Sequence, residues 1–113
     1  MTTKAKFHFD IRPEWEKAIR DGKKTVDARI NITPYADVNK GDTIKYHSLH
    51  VRVKRINSYY GLNSLLQDEG FRKVVPGAGS IQEALDALVE EMHGIERPHG
   101  FLAFEIEPEE GGK

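Results

Sequence analysis

Residues 9–29 read FDIRPEWEKAIRDGKKTVDAR, and this stretch decides the fold. It predicts a strand that ends near Ile11, a helix that begins at Pro13 and a second strand after Gly22. Proline suits the first turn of a helix, because the amide that it lacks would have no partner there. Glycine suits the residue after a helix, because it adopts positive φ at no steric cost. A strand, a helix and a turn thus lead the chain into the segment Gly22–Arg29.

The segment Gly22–Arg29 is the first candidate site, since it holds Lys23, Lys24, Asp27 and Arg29. Side chains alternate along a strand, so Asp27 and Arg29 are predicted to share one face. The alternation places Lys24 on the opposite face. Lys24 lies just before the strand, however, so its side chain can reach the edge of the cleft beside Asp27 and Arg29, and we call this edge the shared rim. Such a cleft could bind a planar polar ligand or a phosphate. The alternative is a solvated strand with an ion pair worth under ~1 kcal/mol, which the charges alone favour.

The rest of the chain alternates between strand and helix patterns. Ser80 and Glu83 form a capping box, which predicts the start of a long helix that Gly94 closes. The alternation of apolar residues breaks at Arg55-Ile56, which predicts a bulge or a strand end. The other predicted elements are a hairpin over 43–47 and 50–56, a short helix after Gly61, an irregular loop over 74–79 and a last strand over 101–106. This order predicts an α+β fold with a mostly antiparallel, curled sheet.

The composition is that of one ordinary globular domain. The chain has 113 residues, 38% hydrophobic and 31% charged, with a net charge of −1. We predict a single domain over 1–107 and an acidic, glycine-rich tail over 108–113. No apolar run predicts a membrane span or a secretion signal, and there is no cysteine, so the expected location is the cytoplasm. The missing basic surplus disfavours duplex DNA as a partner but permits a local basic groove.

A basic row on the predicted hairpin is the second candidate site. His50, Arg52 and Lys54 are predicted to point outward, with Lys45 and His47 on the partner arm and Tyr59 and Tyr60 beside them. Cations that follow phosphates and aromatic rings that stack on bases are typical of single-strand binding. The alternative is a solvated sheet face, which we favour because the net charge is not basic.

The histidines form the third candidate. His47 and His50 could meet across the hairpin, but a metal site needs a further ligand, and no acidic residue lies at a diagnostic spacing. We therefore predict no metal and no cofactor.

Five motifs, taken in order, resemble the ASCH domain family, which is related to the PUA domain. The family signature is G-x-K-x-x-E-x-R after a short helix, and Gly22–Arg29 follows it with aspartate in the acidic slot. Aspartate is one methylene shorter than glutamate, and His99 stands where the family usually has tyrosine. The other resembling segments are Lys40–Ile44, Tyr59–Leu66, Val75–Glu83 and His99–Ile106.

The resemblance implies a PUA-like curled β-barrel of about five to six mostly antiparallel strands, with two to four helices packed around it. It also implies a groove lined by Lys24, Asp27 and Arg29 that binds single-stranded RNA, a nucleotide or a modified nucleoside. Further ligand contacts are expected from Lys23, Tyr59, Tyr60 and His99.

A second reading of the resemblance is a small hydrolase. Some family members resemble amidohydrolases that act on acylated cytidine, and others resemble ribonucleases. Lys24 would then be the nucleophile or base, and Asp27 the proton acceptor. The amidohydrolase branch carries threonine in the slot of Asp27 and a further glutamate before the long helix, where this chain has Pro76–Gly79. A third reading is a regulatory or adaptor domain with a vestigial groove.

Overall fold

The computed structural model describes residues 5–92 and 99–109 and has the predicted α+β architecture. A single turn of 3₁₀ helix over Tyr35–Asp37 interrupts the loop that the sequence predicts after the second strand. In chain order the elements are β1 (Phe7–Phe9), α1 (Pro13–Arg20), β2 (Val26–Ile30), β3 (Thr43–Tyr46), β4 (Leu49–Tyr59), α2 (Leu62–Glu69), α3 (Phe71–Val74), α4 (Ile81–Glu91) and β5 (Phe101–Pro108).

The described strands form one sheet of five strands, in the order β1-β3-β4-β5-β2, that curls into a half-barrel. Three of the four pairings are antiparallel, and β1 runs parallel to β3. The predicted curled and mostly antiparallel sheet is therefore confirmed. β1 and β2 lie at the two ends of the strand order, so side chains must bridge the open side of the curl.

The two faces of the sheet bury different cores. Val26, Ala28 and Ile30 of β2 face a core that includes the helix residues Leu65, Leu66 and Leu88. A second cluster, which includes Phe9, Ile44, Tyr46 and Phe104, fills the inside of the curl. Alternation along β2 turns the remaining side chains, those of Asp27 and Arg29, toward this second cluster. The strand therefore carries a charged pair into the curl.

The helix boundaries follow the local signals. α1 begins at Pro13, and Gly22 behind it has φ 81°. The Ser80 hydroxyl accepts the amide of Glu83 at 3.2 Å, and the Glu83 carboxylate accepts the amide of Gly79 at 2.8 Å. This cap confirms the predicted start of α4. Gly94, the predicted end of that helix, lies outside the described residues.

Three boundaries differ from the sequence expectation. β4 continues to Tyr59, because a register shift between Val53 and Arg55 restores its pairing with β5, so the break is a bulge and not a strand end. The short helix α3 was not predicted and ends where the predicted loop over 74–79 begins. β5 extends to Pro108, past the predicted strand end at 106, and the amide of Glu109 donates to the carbonyl of His50 at 2.9 Å. Residues 110–113 lie outside the described chain.

None of the helices in the described ranges is long and apolar enough to cross a bilayer.

Candidate functional site

Asp27 and Arg29 form a buried ion pair inside the curl. Asp27 is 2% exposed, and the Arg29 Nε lies 3.0 Å from its Oδ2 and 3.2 Å from its Oδ1. The hydroxyl of Tyr46 donates to the Asp27 Oδ2 at 2.6 Å, and Arg29 Nη2 donates to the Asp10 carbonyl at 2.8 Å. The guanidinium also lies 5.3 Å from the ring centre of Phe9. The prediction that Asp27 and Arg29 share one face is confirmed.

This ion pair ties together the two edges of the sheet. Asp27 and Arg29 belong to β2, Asp10 follows β1, and Tyr46 ends β3. β2 and the β1–β3 pair stand at opposite ends of the strand order, so no backbone ladder joins them directly. The polar contacts take the place of that ladder and hold the curl closed.

The electrostatics favour fixed protonation states for Arg29 and Tyr46. Burial opposes the charge on Arg29, but Asp27 and then Tyr46 more than offset it, so the pKa of the guanidinium is raised. Burial and the neighbouring Asp27 charge raise the pKa of Tyr46 well above its usual value. Tyr46 is therefore a neutral donor to Asp27 at any physiological pH.

Lys24 is fully buried on the other side of β2. It is 1% exposed, and its Nζ donates to the Val26 carbonyl at 2.8 Å and to the Val74 carbonyl at the end of α3. The ammonium lies 4.8 Å from the ring centre of Trp15 in α1. Burial lowers the pKa of Lys24 to about 8, although the charge of Asp27 opposes this shift. A neutral amine is therefore accessible close to neutral pH, which is the condition for a lysine base or nucleophile.

The predicted rim shared by Lys24, Asp27 and Arg29 is not formed. Lys24 does not swing toward the other two side chains, because the Val26 and Val74 carbonyls satisfy its ammonium on the helix side of the strand. Lys24 and Asp27 are both buried, at 1% and 2% exposure, so neither side chain offers the exposed rim that was expected. The charge of Asp27 nevertheless acts on Lys24, because it opposes the lowering of the Lys24 pKa by burial.

Three other predicted ligand residues do converge. Tyr59, Tyr60 and His99 line one pocket of about 220 Å³, which we call the terminal pocket because it lies past the end of β2. Sequence reasoning missed the remaining lining residues, which are Asn31, Ser58 and Gly100.

Lys23, the remaining predicted contact, is exposed before the start of β2. The strand rises about 3.3 Å per residue, so Val26 and Asn31 are separated by roughly 17 Å. Lys23 thus precedes one end of β2, and the terminal pocket lies past the other end.

Tyr60 and Tyr59 play different parts in the terminal pocket. Tyr60 is 96% exposed and offers its ring to solvent. The Tyr59 hydroxyl is anchored to α2, at 2.5 Å from Asp68 Oδ2 and 2.6 Å from Glu69 Oε2. Burial, together with these hydrogen bonds, raises the pKa of Tyr59. One tyrosine is therefore fixed in the fold and the other is free to stack.

Gly100 allows three strand ends to meet at the terminal pocket. It has φ 77°, and a Cβ at this position would lie 2.7 Å from the Tyr59 carbonyl oxygen. Its own carbonyl accepts the amide of Asn31 at 3.0 Å. A side chain at residue 100 would separate β5 from β4 and distort the pocket.

Solved structures resemble this fold closely. The crystal structure of hypothetical protein PH0355 is 30% identical, with a TM-score of 0.84 over 91% of this chain and 98% of that one. The solution structure of protein PF0455 from Pyrococcus furiosus is also 30% identical, with a TM-score of 0.76 over 92% and 97%. The chain belongs to the PH0355 and PF0455 family.

The fold of this chain is also similar to that of a named domain. The ASCH protein of Zymomonas mobilis is 20% identical to this chain, with a TM-score of 0.59 over 89% of this chain and 68% of that one. A single-residue variant of that protein gives the same values. The ASCH-like fold predicted from the five sequence motifs is thereby confirmed. No family model matches the chain, and the comparison with curated proteins finds no significant relative.

In this ASCH-like fold Arg52 and Lys54 of the basic row on β4 face acidic residues of β5. Lys54 lies 3.9 Å from Glu105 and 3.8 Å from Glu107, and Arg52 stands opposite Glu107 in the ladder. These contacts fit a solvated, charge-balanced sheet face. Within 5–92 and 99–109, no three His, Cys, Asp or Glu side chains cluster to hold a metal.

Sequence reasoning also overlooked Tyr46, which belongs to the buried polar cluster of Asp27 and Arg29. A buried tyrosine hydroxyl needs a partner, and this one binds the central carboxylate of the ASCH-like curl. Replacing Tyr46 with phenylalanine is expected to lower the free energy of unfolding by about 1.5–3 kcal/mol, the usual range for a hydrogen bond to a charged group. Urea unfolding measures this loss, and Tyr60→Phe, which removes an exposed hydroxyl, is the control. Equal midpoints for the two variants would contradict the proposed hydrogen bond.

Proposed function

We propose that this chain binds single-stranded RNA, or a nucleotide or modified nucleoside with the same chemistry. The observation that supports the proposal is the terminal pocket, where three residues chosen from sequence, Tyr59, Tyr60 and His99, lie together. Such ligands are met in the cytoplasm, and we infer that location for the chain.

The exposed ring of Tyr60 supports a base-stacking role. Stacking of a base on an aromatic side chain contributes about 1–3 kcal/mol and tolerates any base, because every base has a π-face. Asn31 adds an amide, which offers a donor and an acceptor next to each other. An aromatic platform beside an amide suits an unstacked base, and duplex nucleic acid does not present one.

The charged residues of the predicted groove differ in how easily a ligand could contact them. Lys23 is exposed and can meet a phosphate without rearrangement. Arg29 is held by Asp27 and by the Asp10 carbonyl. A ligand reaches Lys24 only if α3, whose Val74 carbonyl holds the ammonium, moves away. Lys24, Asp27 and Arg29 therefore line the groove only in an opened form of the protein.

Truncating Tyr60 to alanine is expected to weaken RNA binding about 5- to 150-fold, which corresponds to the loss of 1–3 kcal/mol of stacking. Fluorescence anisotropy with a labelled single-stranded RNA oligomer measures the effect. Tyr60→Phe, which keeps the ring, should bind like the wild type, and duplex RNA should bind more weakly than the single strand. An unchanged affinity of Tyr60→Ala would place the ligand elsewhere, and a wild type that binds neither RNA nor nucleotides would refute the proposal.

A small hydrolase is the second candidate function, and one observation favours it. Burial lowers the pKa of Lys24 to about 8, even though the charge of Asp27 acts to raise it. A lysine that loses its proton near neutral pH can attack a carbonyl or accept a proton from water. The proposed substrates are an acylated cytidine, whose amide bond would be hydrolysed, or an RNA strand.

Turnover of acylated cytidine and cleavage of end-labelled RNA test the hydrolase. Chromatography should detect products with the wild type and none with Lys24→Ala. Lys24→Met is the second variant. Methionine fills the buried space, so this variant should stay folded, and a loss of its activity then reports the loss of the amine. A wild type without turnover of either substrate, or folded variants that keep full activity, would exclude this function.

A further inference from the structure

We propose that the terminal pocket takes the uncharged base of a nucleoside and leaves the phosphate outside. This inference rests on the proposed nucleic-acid function and specifies which part of the ligand the pocket recognises. Three properties support it: the charge of the pocket, its free polar groups and its distance from Lys23.

The lining of the terminal pocket carries no lysine, arginine, aspartate or glutamate among the residues that the structure describes. The charged side chains that contact the Tyr59 hydroxyl are the carboxylates of Asp68 and Glu69, and Glu69 is paired with Arg55 at 3.2 Å. A phosphate placed in the pocket would find no lysine or arginine among these lining residues, and it would approach the Asp68 carboxylate, which carries the same sign of charge. A neutral heterocycle meets neither difficulty.

The polar groups of the terminal pocket suit the edge of a base. The side chains of Asn31 and Ser58 make no hydrogen bond to the other residues that the structure describes. An asparagine amide can pair with a base edge through one donor and one acceptor, as it does with adenine in nucleic-acid complexes. The ring of Tyr60 is exposed beside these groups and can cover the face of the same base. Together they satisfy both the edge and the face of one nucleobase.

The N-terminus of α2, which lies next to the terminal pocket, favours binding of a phosphate. α2 begins at Leu62, two residues after Tyr60, and Gly61 at its N-cap provides no side-chain cap. Uncapped amides at a helix N-terminus attract anions, so a phosphate could bind there. Those amides are not part of the pocket lining. Binding of inorganic phosphate is therefore the outcome that the experiment must separate from binding of a base.

The distance to Lys23 sets where a phosphate would be held. About 17 Å of β2 separates the terminal pocket from the end of the strand that Lys23 precedes, which is too far for one nucleotide to span. An oligonucleotide can place a base in the pocket and a phosphate near Lys23. A single nucleotide gains no such contact, so its phosphate adds no affinity.

Titrations of the full chain, followed by amide chemical shifts, test the inference with four kinds of probe: adenosine, cytidine, their 5′-monophosphates and inorganic phosphate. Each nucleoside should bind at least as tightly as its monophosphate and should shift the amides around Asn31 and Gly100, whereas inorganic phosphate should leave them unchanged. Tyr60→Ala and Asn31→Ala should each weaken nucleoside binding at least fivefold. Val89→Ala, which truncates an exposed side chain of α4 outside the pocket, is the matched control and should bind like the wild type.

A single-stranded RNA oligomer completes the experiment. Lys23→Ala should weaken binding of the oligomer. It should also reduce the slope of log affinity against log salt concentration by about one, which is the signature of one lost phosphate contact. Tenfold tighter binding of the monophosphates than of the nucleosides would overturn the inference and leave the proposed RNA function standing. Binding of RNA that Tyr60→Ala does not weaken would also overturn it. If RNA, nucleosides and nucleotides all fail to bind, the proposed function itself is wrong.

Discussion

Replacing Asp27 with alanine is expected to lower the free energy of unfolding by about 3–5 kcal/mol, the usual cost of breaking a buried ion pair from one side. The change leaves the Arg29 guanidinium inside the curl without its carboxylate and removes the acceptor of the Tyr46 hydroxyl. It also loosens the contact between β2 and the opposite edge of the sheet. Urea unfolding followed by the fluorescence of Trp15, the single tryptophan of the chain, measures the loss.

Two further variants make this result specific. Asp21→Ala removes an exposed carboxylate that pairs with Lys17 on the surface, and its unfolding midpoint should match the wild type. The double change of Asp27 to leucine and Arg29 to methionine removes both charges and should recover much of the stability that Asp27→Ala loses. A loss of less than about 1 kcal/mol for Asp27→Ala would show that the pair does not hold the curl closed.

The wild type is expected to gain about 3 kcal/mol of stability relative to Lys24→Met as the pH rises from about 8 to about 10.5. In the folded chain burial lowers the pKa of Lys24 to about 8, while the ordinary pKa of a solvated lysine, which applies to the unfolded chain, is 10.5. Between these values the unfolded chain binds a proton that the folded chain does not bind, so stability increases with pH. Below pH 8 the lysine is protonated in both states and the full cost of burying its charge remains.

Unfolding curves at about pH 7, 9 and 11, which span the two pKa values, measure the difference between the wild type and Lys24→Met. Lys23→Met is the matched control, because Lys23 is the neighbouring residue and is exposed in the folded chain. A difference that stays constant across the three pH values would mean that Lys24 keeps its ordinary pKa. The hydrolase proposal would then lose the observation that favours it.

Local chemistry is readable from the sequence alone. Pro13 and Gly22 bound α1, and Ser80 with Glu83 starts α4, because caps and turns depend on residues within one helical turn of each other. The period of two along β2 correctly assigned Asp27 and Arg29 to one face. The order of five short motifs predicted the ASCH-like fold, since each motif marks a turn or a strand entry.

The partners of the candidate residues could not be predicted in this way. Asp27 meets Tyr46, which is 19 residues away and belongs to the far side of the curl. Lys24 points to the Val74 carbonyl, 50 residues further along the chain. Nothing within a few residues of Lys24 indicates that α3 will supply an acceptor there. The prediction of a shared rim was wrong for this reason.

The sequence by itself determined the elements, their order and the face that each side chain of β2 occupies, because these properties depend on neighbours in the chain. Only the tertiary structure decided that Lys24 and Asp27 are buried and that Tyr59, Tyr60 and His99 meet in one pocket. Burial depends on the curl that brings β2 toward β1 and β3, and the pocket depends on three strand ends converging at residue 100. Both arise from contacts between residues far apart in sequence, which local patterns do not encode.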